Sequence, residues 1–327
     1  MPSNYTPPFT ITSKILSQVS DIAELAAEIK HIDAKRITPK LRKKNRVKSI
    51  TGSLQIEGNS FTEEQVTAVL NGKRVLGSMK EVEEVRGAIA AYEQIGNYDY
   101  TKLDDLLLAH KLMMERLLNS AGIFRSVNVG VYGKDGVSHV APPPYRVHEL
   151  MVDLFEWLDT TEEHPLIVSC VFHYEFEFIH PFSDGNGRIG RLWQSVILQS
   201  YRELFSFIPI ESIVKENQQK YYNALEDAGS KGENTPFVEF MLQGILKSLK
   251  EFIKDESKSN QQSNLKSDQK ILSLIKKNNE VTIREICDKI SMSESGVKKV
   301  IKKLKDENKL IRVGSLKAGH WEVRSKQ

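Results

Sequence analysis

Two cysteines in 327 residues, Cys170 and Cys287, cannot build a disulfide scaffold, and their separation gives no zinc-ligand spacing. Long apolar runs are absent too. Nowhere do about 18 hydrophobic residues follow one another, so no membrane-spanning helix is expected. The N-terminus lacks a basic stretch leading into an apolar core, so a secretory leader is not expected. The expectation is a soluble, cytoplasmic protein with no membrane partner. Internal repeats are missing. Strong net charge is missing as well, but the formal +3 hides an asymmetry. From Lys254 onward there are 18 Lys+Arg against 10 Asp+Glu; the totals of 46 and 43 leave 28 against 33 for the rest. A mildly acidic body carries a small basic tail, and such a tail attracts polyanions.

What is present is helical pattern. At 40% hydrophobic residues the chain can bury a sizeable core. Ile15, Val19, Ile22, Leu25, Ala26 and Ile29 repeat at helical spacing. The basic stretch 42–46 follows, then Ser53-Leu-Gln-Ile-Glu57-Gly58-Asn59, where the glycine reads as a helix stop. Ser60-Phe-Thr-Glu63 has capping-box spacing and predicts a helix closing near Asn71-Gly72. Helices are further expected over 80–96, 102–119, 147–158, 166–179, 189–201, 215–228 and 236–253. Alternating Val127, Val129 and Val131, a Gly133–Gly136 turn and Ser138-His139-Val140-Ala141 predict one β-hairpin, ended by Pro142–Pro144. Residues 254–267 are polar, a linker composition. The layout expected is N-terminal helices over 1–75, a helical core over 76–253, a linker over 254–267 and a small domain over 268–327.

The chemistry concentrates in His180-Pro-Phe-Ser-Asp-Gly-Asn-Gly-Arg-Ile-Gly-Arg191. Gly185, Asn186 and Gly187 stand directly before a helix, where backbone N–H groups can converge on an anion. Arg188 and Arg191 lie three apart on the first turn and can clamp phosphate oxygens. Asp184 is a hard oxygen ligand suited to Mg²⁺, the one metal ion expected. His180 ends the preceding helix, and a histidine's unperturbed pKa lies close enough to neutrality to accept a proton, as a general base must. Two plainer readings stand beside this one: a Gly-Asn-Gly turn, and a core histidine. A third, in which His173, Glu177 and His180 form a metal triad on one helix face, leaves the arginines and glycines without a role.

This stretch resembles the His-Pro-Phe-x-Asp-Gly-Asn-Gly-Arg-x-x-Arg motif of the Fic (Fido) family at every fixed position, and the likeness extends over about 40–245. The resemblance implies a mainly α fold, an all-helical core with one β-hairpin flap. It implies AMP transfer from Mg·ATP to a Ser, Thr or Tyr hydroxyl of a protein. On that footing His180 deprotonates the hydroxyl and Asp184 holds Mg²⁺ across the α- and β-phosphates. Gly185, Asn186 and Gly187 line the phosphate nest, Arg188 assists, and Arg191 reaches the γ-phosphate. Ile189 and Gly190 complete the nucleotide-binding stretch. Phe182 would anchor the loop.

Ser53-x-x-x-Glu57-Gly58-Asn59 is similar to the inhibitory-helix motif of relatives that carry it ahead of the core. Glu57 would then pair with Arg191 and fill the γ-phosphate space. In some relatives the same glutamate accompanies removal of AMP, so a de-AMPylating hydrolase is the alternative activity. Ser138, His139, Val140 and Ala141 occupy the place of the family's flap, which docks the target by strand addition. Tyr221-Tyr222 resembles a pair near the adenine, with Tyr221 the expected contact. An asparagine that some relatives place seven or eight residues further on is replaced here by Ala228-Gly229.

The tail reads as three helices, over 268–277, from Thr282-Ile-Arg-Glu285, and from Ser293 to Asn308, followed by strands Leu310–Val313 and His320–Val323. It resembles a winged helix-turn-helix, whose lysine-rich third helix suits DNA, though such modules also bind proteins. The expected partners are thus ATP, a protein substrate that includes the chain itself, and DNA through 268–327; a homo-oligomer stays open. The reading from another class is a DNA-binding regulator with a Fic body as sensor.

Overall fold

The apolar spacing over 15–29 becomes one face of helix α1 (Ser13–His31), with Ile15, Ile22, Ala26 and Ile29 buried. In the computed structural model the described residues are 5–31, 39–133, 136–290, 292–314 and 319–324. Helix α2 (Pro39–Ile56) follows and absorbs the basic stretch 42–46. It stops where expected, with Gly58 at φ 88°, a left-handed position that glycine enters freely. Helix α3 (Glu63–Leu70) departs from expectation at its start. Thr62, not Ser60, is the N-cap, and its box closes with Gln65. Ser60 instead donates to Glu81 at 2.6 Å. Asn71 closes the helix as predicted. Helices α4 (Met79–Glu93) and α5 (Leu103–Met114) come next.

Strands β1 (Gly130–Gly133) and β2 (Gly136–Val140) form the expected antiparallel hairpin, pairing Gly130 with Val140 and Tyr132 with Val137 across a bulge. The first strand starts later than the Val127–Val131 alternation predicted. Val127 is instead exposed at the hairpin's root. Helices α6 (Pro144–Thr160), α7 (Pro165–Ile179), α8 (Asn186–Tyr201), α9 (Ile210–Glu216), α10 (Gln218–Lys231) and α11 (Thr235–Lys277) complete the core. Helix α7 is buried on almost every side, as an all-round apolar helix must be. It packs against α6 and α8, and Phe237 from α11 lies edge-on to His173. Helix α2 packs on α9, α4 and α3. Its Gly52 allows a close approach there, since a Cβ would stand 3.1 Å from the Ser212 backbone N.

The polar stretch 254–267 is not a break between helices: α11 runs unbroken for 43 residues through it. Lys, Glu, Gln, Asn and Ser give no apolar face to bury, but without Gly or Pro nothing there stops a helix. The chain divides into two units, Met1–Glu251 and Phe252–Gln327. The second has its own core of Ile271, Ile275, Val281, Ile286, Val297 and Leu304. Its elements are the end of α11, α12 (Ile283–Ile290), α13 (Glu294–Asp306), and the antiparallel pair β3 (Leu310–Val313) and β4 (His320–Val323). The expected box holds: Glu285 N–H donates to the Thr282 hydroxyl and Glu285 accepts from Thr282 N–H. Among the described residues no helix is long and apolar enough to cross a membrane.

Candidate active site

His180 caps the C-terminus of α7 in a left-handed conformation, φ 50° and ψ 60°. A non-glycine residue holds that geometry only where its surroundings enforce it. Arg125 does so. Its Nε donates to the His180 carbonyl at 2.8 Å, and Nη2 donates to the carbonyls of Pro142 (2.6 Å) and Ile179 (3.3 Å). Nη1 donates to Val127 O at 2.9 Å, and the Arg125 N–H to Pro181 O at 2.9 Å. This buried guanidinium thus satisfies carbonyls that the end of α7 leaves open and ties the loop to the root of the hairpin.

Past His180 the loop is stapled from within. Asn186 Nδ2 donates to Phe182 O while Phe182 N–H donates to Asn186 Oδ1, both at 2.9 Å. Phe182 is fully buried as the anchor the sequence predicts, stacked on His110 with centroids 3.6 Å apart. His110 Nδ1 accepts from Gly122 N–H at 2.8 Å, so the ring proton sits on Nε2 and is donated to the Asp184 carbonyl at 3.0 Å. Burial pushes His110 down to about 4, keeping it neutral in this role.

Gly185 N-caps α8 at φ 87°, and the chain then enters the helix through Asn186, Gly187 and Arg188. The first N–H groups of a helix have no intrahelical acceptor, which makes this turn an anion cradle. Arg188 Nη2 donates to Asp184 Oδ1 at 3.0 Å, and that oxygen also accepts from Gly185 N–H at 2.6 Å. The Asp184 side chain is 54% exposed beside the cradle. Among the described residues no group of three or more His, Cys, Asp or Glu could hold a metal ion. A lone half-exposed carboxylate fits an ion such as Mg²⁺, which takes one or two carboxylates and fills its shell with phosphates and water.

Arg191 is buried and faces α2. Its Nη2 donates to Glu57 Oε1 at 2.6 Å and to Ser53 O at 3.2 Å, while Nε donates to Ser53 Oγ at 3.2 Å. Burial opposes the guanidinium charge, but Glu57 overrides it and holds the group charged more firmly than usual. Gly187 makes room for the pair: a Cβ there would stand 2.6 Å from Glu57 Oε1 and 2.9 Å from Arg191 Nη1.

Other expected site residues fall outside the cradle. Ile189 is fully buried, and its side chain belongs to the core. Gly190 serves the crossing of α7 and α8, where a Cβ would meet Glu177 Oε1 at 3.1 Å. The Asn186 side chain staples the loop, so only its backbone can face an anion. Tyr221 is buried with its hydroxyl on His173 Nε2 at 3.0 Å, whereas Tyr222 beside it is 45% exposed. Among the flap residues Ser138, His139 and Val140 the backbone lies in or beside the β ladder, next to α10, and Ala141 is buried at its foot. The metal-triad reading does not survive. Both ring nitrogens of His173 are engaged, Nδ1 with Gln194 Oε1 at 2.8 Å and Nε2 with Tyr221. Arg125 and His110 escaped the sequence reading because they act on backbone carbonyls far along the chain. No spacing marks them.

A family model described as Fic/DOC family matches residues 100–198, and one described as winged helix-turn-helix DNA-binding matches 265–311. The chain is 32% identical over 206 residues to the protein adenylyltransferase Fic of Culex quinquefasciatus, and 31% identical over 206 residues to that of Aedes aegypti. Each match takes in 60% of this chain but 39% of the relative, so the chain spans about two fifths of the length of these curated relatives. Among solved structures, a Fic family protein from Desulfovibrio desulfuricans G20 is 37% identical with TM-score 0.76, covering 99% of both chains. Fic-1 of C. elegans shares the fold at TM-score 0.64 and 23% identity, over 75% of this chain and 73% of that one.

Proposed function

Since the chain belongs to the Fic family, we propose that it is a self-inhibited protein adenylyltransferase, moving AMP from ATP to a hydroxyl of a protein, itself included. One observation carries this reading. The arginine that would receive the outermost phosphate, Arg191, is held by Glu57 at 2.6 Å in an otherwise complete loop. The N–H groups at the start of α8 take the inner phosphates, and Arg188 neutralises charge beside them. Asp184 would hold Mg²⁺, which when bound supplies charge neutralisation for the phosphates. His180 takes the proton of the target hydroxyl as its oxygen attacks the α-phosphorus and pyrophosphate departs. The loop contributes chiefly position and charge stabilisation. With Glu57 in place the γ-phosphate has no room on Arg191, and ATP settles in a non-productive pose.

Label transfer from α-labelled ATP tests the reading with wild type, Glu57→Gly and His180→Ala side by side. Glu57→Gly raises self-modification at least about tenfold, the effect of roughly 1.4 kcal/mol of released restraint, and His180→Ala abolishes it. Equal labelling in all three overturns the proposal.

A second activity is favoured by the partial exposure of Glu57, whose side chain is 37% accessible beside the cradle. A carboxylate there can activate water, so removal of AMP from a modified protein is the alternative reaction. It would appear as AMP release by wild type and not by Glu57→Gly. The second unit supports DNA as a partner through the winged-helix match and through Lys299 and Lys302, which stand exposed on α13. Other basic groups there are engaged internally: Lys298 with Glu294, Lys303 with Asp268, and Lys305 over the Trp321 ring.

A further inference from the structure

Helix α7 carries a carboxylate that the reaction described above does not use. Glu177 lies one turn before His180, and its side chain is only 12% exposed. Its Oε2 stands 3.9 Å from His180 Nδ1, and its Oε1, buried, has no hydrogen-bond partner. The groups around it come from four helices. His173 on α7 is 3.8 Å away, but it is neutral, and its ring nitrogens are taken by Gln194 and Tyr221. Arg191 on α8 acts on the carboxylate electrostatically, yet its own hydrogen bonds go to Glu57 and Ser53 of α2. Tyr221 on α10 holds a phenol that burial keeps protonated. With both His173 nitrogens engaged, the imidazole that faces the carboxylate is that of His180, whose Nδ1 lies on the Oε2 side.

We propose that Glu177 is a positioning residue for the general base, accepting the Nδ1–H of His180 so that the Nε2 lone pair faces the target hydroxyl. The inference rests on the adenylyl-transfer reading. As the hydroxyl oxygen bonds to the α-phosphorus, the bond from that phosphorus to the pyrophosphate oxygen breaks. The electron pair leaves with pyrophosphate, and the hydroxyl proton moves to Nε2. The imidazolium so formed keeps its Nδ1 proton, now shared with the Glu177 carboxylate. The separation of 3.9 Å closes to a hydrogen bond by a small side-chain rotation, as catalytic contacts commonly tighten in the reacting complex. Burial places Glu177 near 7, with Arg191 lowering it and Glu57 raising it, so removing the Glu57 charge favours the ionised carboxylate.

The test compares Glu177→Gln with its parent in a Glu57→Gly background, full-length, using α-labelled ATP and self-modification as the reaction. The expected loss in maximal rate is about 10- to 100-fold, at or below the roughly 100-fold lower bound for a general base itself because Glu177 acts through His180, with the half-saturating ATP concentration changed less than about twofold. The acidic limb of the rate profile moves to lower pH, because the imidazole loses the carboxylate that favours its cation. Nitrogen NMR of the histidine rings, with His180→Gln assigning the signal, supplies a readout that needs no turnover. The parent shows the Nδ1–H form, and Glu177→Gln loses that bias. An unmoved limb together with an unchanged tautomer overturns the inference. If no variant transfers label at all, adenylyl transfer itself fails, while the NMR result still decides what Glu177 does.

Discussion

His110 shows how a residue far along the chain can hold the 180–191 loop in place. Its neutral ring, locked between Gly122 N–H and the Asp184 carbonyl, lies under the turn that opens α8. In the unfolded chain this histidine titrates at about 6.5; burial in the fold lowers it to about 4. The unfolded state therefore binds the extra proton between those values. Its contribution to stability is complete above about 6.5 and is lost as pH falls through about 4. Buried His173, lowered to about 3, acts in the same direction. From pH 7 to pH 5 we expect His110 to account for a loss on the order of 2 kcal/mol, at about 1.4 kcal/mol per pH unit below its unfolded value. Thermal unfolding at the two pH values, in wild type and His110→Gln, checks this; the variant should lose less on acidification. Identical pH slopes would show that another group carries the acid sensitivity. None of this was legible beforehand. The loop at 180–191 announces itself because its base, carboxylate, glycines and arginines stand within twelve residues. Arg125 and His110 reach it from 55 and 74 positions away and bond only to backbone.

Among the elements, α2 was the hardest to read and has the largest consequence. Its apolar residues follow no clear stripe, since α3, α4 and α9 surround it and leave few positions that must be polar. The stop at Gly58 was legible from one glycine, whereas the pairing of Glu57 with Arg191, 134 residues away, was legible only by resemblance. The fully packed Ile50 and Leu54 seat the helix, and the seat sets where Glu57 points. If Glu57 is the brake proposed above, its hold should weaken with the packing that seats α2. Leu54→Ala removes buried methyl groups at a cost of about 2–5 kcal/mol. Basal self-modification should therefore rise, to a level between wild type and Glu57→Gly, while the melting temperature falls. Labelled-ATP rates beside a melting curve decide it. Lost stability with no gain in transfer would mean that Arg191 and Ser53 hold Glu57 regardless of how α2 is seated.

At the scale of the whole chain, the two units meet at Glu251–Phe252, and the polar stretch expected as a linker lies within a helix. The basic tail does fold around its own core, and the wing strands lie where alternation and a glycine turn placed them. The polar stretch before it is helix, because composition reports what a segment can bury and says little about whether its backbone coils. Two units with separate cores predict separable functions. A chain ending at residue 253 keeps every residue of the loop, of α2 and of the hairpin, so its label transfer and its response to Glu57→Gly should match the full chain. Retention of duplex DNA should vanish with the tail. In the full chain that retention should fall about tenfold between about 50 and about 200 mM salt, as expected for roughly two phosphate contacts from Lys299 and Lys302. Filter binding across that range measures both. Unchanged retention by the shortened chain would move the DNA contact to the first unit. Retention by neither chain would leave the winged helix a protein-binding module, a use its internally paired lysines equally permit.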